Sequence, residues 1–270
     1  MPHEQAYYWP IWLTKSLKPN CQKQQKTFCQ AQSALWQALN IYDDIIDGDN
    51  PQADLMMANN NFRKFLKALY ASNLPVYFIN QADNIISAWE KINRQEWQST
   101  KLIIKNGEIK IPQYLPSATV FNLGYQKSLP LAILSIASAI KLNLITNHRK
   151  FKIALNFFKY ALAAKQLADD ASDWLADLEN GILNPVNLLV LKAAKNKKIK
   201  LNLKTKPEIA YLLFAEKSGP QTAKNILSLC KKAEKEALKL KINDGAPLIK
   251  LLIQPLSKSA QKVLNFQNLL

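Results

Sequence analysis

Apolar residues recur at three- and four-residue intervals along almost the whole chain, the spacing of one face of an α-helix. Between residues 21 and 47 the stripe is Phe28, Ala31, Leu35, Ala38, Leu39 and Tyr42, and Gly48 stands where a helix C-terminus favours a residue without a Cβ. The same periodicity predicts helices over about 53–71, 76–98, 117–143, 148–180, 186–195, 207–217, 220–241 and 246–266. Pro116, Pro185, Pro207 and Pro220 fall near the predicted starts, where a missing N–H is no loss. One segment breaks the pattern. In KLIIKNGEIKIP, residues 101–112, Asn106-Gly107 separates two short apolar runs and predicts a small hairpin. The expected fold is all-α: a single domain, residues 1–270, forming an antiparallel helical bundle.

Composition narrows the partners more than the fold. Only 6 of 270 residues are Gly and the 13 Pro are scattered, so no linker divides the chain. Three cysteines without a CxxC pair, and two distant histidines, give no zinc spacing or disulfide framework. No basic segment followed by an apolar run marks the N-terminus, and no stretch of about 18 apolar residues occurs, so a reduced, cytoplasmic protein is expected. The formal net charge is +16, from 36 Lys plus Arg against 20 Asp plus Glu. Such a balance suits an anionic membrane surface, a phosphorylated substrate or nucleic acid. Only Arg63, Arg94 and Arg149 are arginines, however, and readers of base edges favour the forked guanidinium, so nucleic acid is not expected. Much of the lysine excess lies in residues 192–206, KAAKNKKIKLNLKTK, which reads as a solvated surface loop, and Asn59, Asn60 and Asn61 read as a solvated helix face.

Against this basic background, negative charge is concentrated twice. Asp43, Asp44 and Asp47 crowd the C-terminal end of the first long predicted helix, where like charges and the negative end of the helix dipole both disfavour them. Asp169, Asp173 and Asp177 follow one another at four-residue spacing, with Asp170 beside them and Gln166 three residues earlier. That places an acidic stripe on one face of an otherwise apolar helix. Each cluster alone reads equally well as a solvated helix end. Together, on two helices of a bundle, they suit hard-cation chemistry: Mg²⁺ takes one or two protein carboxylates and completes its shell with water and substrate phosphate.

A family resemblance then enters. DDIID at 43–47 resembles the first aspartate-rich motif, DDxxD, of class I isoprenoid synthases, and QLADDASD at 166–173 resembles the second motif of trans-prenyl diphosphate synthases. YQKSLPLA at 125–132 is similar to their Lys-Thr/Ser segment, the order of the three is the family's, and residues 223–240 resemble their amphipathic C-terminal helices. Asp173, Asp177 and Gly181 also resemble the D-x-x-x-D-x-x-x-G pattern of squalene and phytoene synthases, which join two prenyl diphosphates head to head. The Gly-Lys-Arg segment and the Arg-Arg pair that serve the second diphosphate in chain-elongating synthases have no match here.

The resemblance implies a bundle of the isoprenoid synthase type and a Mg²⁺-dependent enzyme that ionises an allylic prenyl diphosphate. About three Mg²⁺ would be held by Asp43, Asp44, Asp47, Asp169, Asp170, Asp173 and Asp177. Lys127 would add a cation to the diphosphate, although a lone lysine on an apolar helix can also snorkel to solvent. Gln166 would make a polar contact at the rim. Trp36, Tyr42, Tyr125 and Tyr160 are the aromatics that could face a carbocation, plain packing being the more ordinary role. Trp36 and Leu39 share a helical face with Asp43, and Trp36, about 10 Å up the axis, could floor a pocket for the prenyl chain. A prenyltransferase is the leading expectation, followed by a terpene cyclase using one diphosphate or a noncatalytic regulatory homologue. The expected partners are the allylic diphosphate, a peripheral anionic membrane surface and a second copy of the chain.

Overall fold

The computed structural model describes residues 6–21, 26–47, 54–99, 101–115, 125–215 and 218–267. Its helices are α1 (Trp9–Leu17), α2 (Lys26–Asp47), α3 (Leu55–Tyr70) and α4 (Val76–Ser99), followed by the short α5 (Tyr125–Ser128) and by α6 (Pro130–Lys141). Then come α7 (His148–Glu179), α8 (Pro185–Lys197), α9 (Lys206–Ala215), α10 (Ser218–Lys239) and, after a π-helical turn at Ile249–Ile253, α11 (Gln254–Gln267). Strands β1 (Ile103–Lys105), β2 (Glu108–Lys110) and β3 (Leu201–Asn202) form one small antiparallel sheet. The protein is mostly helical, as the periodicity implies.

Helix α6, PLAILSIASAIK, has no polar face, and Pro130 through Ile140 are all buried. Such a helix belongs at the centre of a bundle, and α1, α2, α4 and α7 pack around it. Gln32 on α2 donates its side-chain N–H to the Leu131 carbonyl at 2.8 Å, fixing α2 against the start of α6. Trp9, Phe65, Phe78, Phe151, Phe157 and Phe158 are fully buried in the same cluster. Each such ring contributes about 1.5–3 kcal/mol by leaving water. A second cluster, including Ile109, Leu178, Val190 and Leu201, joins the sheet to α8, α9 and the end of α7, and Leu167 on α7 packs against both clusters.

Several local expectations change. Helix α1 has no counterpart among the predicted elements: at nine residues it is too short to establish a period. The helix expected over 117–143 is two helices where it is described, because Pro130 starts a new one, while Pro116 and residues 117–124 lie outside the described residues, as does Gly48. The lysine-rich run is not a solvated loop. Lys192, Lys195 and Lys197 finish α8, Lys198 turns left-handed at φ 56°, and Leu201 is buried opposite Ile109 as a third strand. Asn61 is also no surface residue: it is buried, donates to Gln37 Oε1 at 3.0 Å and accepts from Lys64 at 3.1 Å.

The end of α7 is clipped to the sheet. Gly181 adopts φ +71°, and a Cβ there would stand 3.1 Å from the Leu102 carbonyl oxygen, so only glycine suits the position. The Leu102 N–H donates to the Gly181 carbonyl at 2.6 Å, and Lys101 bridges Ile182. Among the described residues no helix is long and apolar enough to cross a membrane.

Candidate functional site

The two acidic segments line one cavity of about 410 Å³. From α2 it takes Trp36, Leu39, Asn40 and Asp43, spaced i, i+3, i+4 and i+7 on one face. From α7 come Leu162, Lys165, Gln166 and the acidic residues Asp169, Asp170, Asp173 and Asp177. Helix α5 adds Lys127 and Ser128, α4 adds Trp89 and Asn93, and α1 adds Trp9. Ile182, Leu183 and Asn184, buried just after the clip, complete the lining, with Asn184 against Asp177.

Among the described residues five carboxylates therefore face two ammonium groups, a local negative excess in a chain of net charge +16. The lysines are already engaged. Lys127 Nζ lies 2.9 Å from Asp43 Oδ1, with its side chain only 13% exposed, so it does not snorkel to solvent. Lys165 pairs with Asp169 one turn further along α7. Gln166 Nε2 donates to Asp170 Oδ1 at 3.1 Å. Asn184 caps α8 by accepting from the Asn187 N–H at 2.8 Å, while its Nδ2 donates to Asp177 Oδ2 at 2.7 Å. Helix capping thereby also sets the orientation of the last carboxylate in the stripe.

Not every expected residue reaches the cavity. Asp44 is half-buried on α2 but does not line it, and the side chain of Asp47 lies outside the described residues. Tyr125 packs half-buried against the main core. The Tyr42 hydroxyl donates to Asn59 Oδ1 at 2.7 Å, with its ring beside Phe62 and Trp89, and Tyr160 lies under Lys232 at 5.8 Å. Of the four aromatics expected near a carbocation, Trp36 alone lines the cavity.

Periodicity missed Trp9, Trp89, Asn93, Lys165 and Asn184. Lys165 had a readable signal, since it stands four residues before Asp169. Trp89 and Asn93 also stand one turn apart on α4, but nothing in their own helix distinguishes them from core and surface. Among the described residues the Trp9 indole N–H and Asn93 Oδ1 are buried without a hydrogen-bond partner, and both residues line the cavity.

The donor set is anionic oxygen on two facing walls, which fits a hard cation rather than zinc. Among the described residues no three His, Cys, Asp or Glu side chains gather closely enough to hold a metal ion by themselves. A cation there would need oxygens from water or a bound ligand to complete its shell. Compared with models of known protein families the chain matches none, and no curated protein matches it.

Proposed function

We propose that this chain is a Mg²⁺-dependent enzyme with the isoprenoid synthase arrangement of helices, ionising an allylic prenyl diphosphate and transferring the prenyl group. The observation that carries the reading is that Asp43 and the stripe from Asp169 to Asp177, more than a hundred residues apart, line one cavity with Lys127 between them. Those aspartates, with Asp44 and Asp47 by resemblance, would hold the metal. Bound Mg²⁺ supplies Lewis acidity that offsets charge on the departing diphosphate. Lys127 and Lys165 turn from their aspartates to the diphosphate oxygens, exchanging one anion for another. Gln166 and Asn184 hold Asp170 and Asp177 in place. Trp36, Leu39, Leu131 and Leu162 exclude water from the cation that forms.

A second reading has its own support. Among the described residues no arginine lines the cavity, so two lysines are the cations available to a substrate. That inventory suits one diphosphate, as in a terpene cyclase. Incubating the protein with Mg²⁺ and C10, C15 or C20 allylic diphosphates, with and without isopentenyl diphosphate, and extracting the products tests both readings. Longer or joined prenyl products support transfer, products formed from one diphosphate alone support cyclisation, and no turnover of any substrate overturns both.

A further inference from the structure

We propose that the outer face of the small β-sheet docks on an anionic lipid bilayer. The inference goes beyond the catalytic reading and holds whatever the cavity does. Strand register puts Ile103 opposite Lys110 and Lys105 opposite Glu108, and all four are exposed, while Ile104 and Ile109 turn toward the core. Glu108 in turn stands opposite Asn202 of β3, and the exposed Lys200 and Lys204 flank that strand. The lysine-rich segment 192–206 contains no acidic residue. The sheet thus presents clustered positive charge, complementary to an acidic headgroup layer.

Charge alone would suit any polyanion; the apolar side chains select the bilayer. Ile103 is 60% exposed in the middle of the lysines. Tyr114 is 84% exposed in the segment following β2, whose Pro112 and Gln113 carbonyls accept from Lys195. Beside the lysines an exposed β-branched residue can enter the headgroup region, whereas an aliphatic side chain gains little on a phosphate backbone and offers no face on which a base can stack. Arginine, which favours nucleic acid, is absent from 101–115 and 192–206. The bond from the Leu102 N–H to the Gly181 carbonyl ties this sheet to the end of α7, the helix that carries the acidic stripe.

The test is co-sedimentation of the full chain with vesicles of phosphatidylcholine alone, or with about 30% phosphatidylglycerol, at about 0.1 M salt. Binding to the anionic vesicles alone is expected. The variant K105E/K110E/K200E/K204E should lose at least tenfold in binding, since each lysine near an anionic surface is worth about fivefold. Reversing four exposed lysines on α10 and α11, K224E/K235E/K258E/K262E, should change it by less than about twofold on the same scale. The variant I103S/Y114S should weaken binding while leaving the charge intact. Equal binding to both vesicle types, no binding to either, or equal loss in the two lysine variants would overturn the proposal. So would binding to a single-stranded RNA oligonucleotide tighter than to the anionic vesicles, which would assign the face to nucleic acid.

Discussion

Lys127 and Asp43 form a 2.9 Å ion pair that joins α5 to the C-terminal turns of α2. The lysine thus neutralises one carboxylate of the cavity, and under the proposed function it would turn to a more anionic ligand. Lys127→Met should lower turnover of an allylic diphosphate at least ~10²-fold, the scale on which a preorganised charge contributes to a transition state. Because Asp43 is about half exposed, the stability change should stay within about 1 kcal/mol, read by urea denaturation.

Asp43→Asn and Asp169→Asn should each reduce turnover by a factor of ~10² or more. The crowding of like charges suggests that either change would also raise the melting temperature. The lysine pairs remove that expectation: Asp43 and Asp169 are 48% and 46% exposed and each faces an ammonium, so the shift should be near zero. Retained activity in both variants would show that the carboxylates are not functional.

Trp36 lines the cavity one helical face up from Asp43, together with Leu39 and Asn40. Trp36→Ala should open space for several methylenes and shift preference toward longer allylic substrates, read from the product profile. An unchanged chain-length profile in a folded, active variant would place the floor elsewhere, with Trp9 the next candidate.

Gly181→Ala combines a left-handed backbone with a 3.1 Å approach to the Leu102 carbonyl. A loss of about 1–3 kcal/mol is expected in chemical denaturation. Faster hydrogen exchange at the Leu102 amide would show that the clip itself has loosened.

Burial raises the Cys29 thiol to about 11 and the Cys230 thiol to about 12, from 9.0 in each case. A raised folded-state value favours the protonated form, so this contribution to stability is complete below pH 9.0 and is lost as pH climbs through 11 and 12. Denaturation midpoints measured across that window should fall. At about pH 8, just below the free-thiol value, a thiol reagent should label Cys21 rapidly, and Cys29 and Cys230 only after unfolding.

Much of the site was legible because its two main walls are long helices. On α2, a period of 3.6 places Trp36, Leu39 and Asn40 with Asp43, and all four line the cavity, although Leu35, which the same spacing puts on that face, is buried and does not line it. On α7 the four-residue spacing of the aspartates does the same. The remainder depends on contacts distant in sequence. Trp9 comes from a helix of nine residues, too short for periodicity to register. Strand β3 exists because Leu201 finds Ile109, more than ninety positions earlier, and a lysine-rich neighbourhood hides that apolar residue from a local reading. Asn61 looks like surface in its run of three asparagines until Gln37 supplies its partner from another helix.

Helix α7, 32 residues and about 48 Å long, carries the acidic stripe and also serves both hydrophobic clusters. Phe151 through Ala164 lie in one, Leu178 lies in the other, and Leu167 touches both. Neither cluster can melt without stripping apolar cover from the helix that supports its neighbour. Unfolding is accordingly expected to be cooperative, with one calorimetric transition whose enthalpy equals its van't Hoff value.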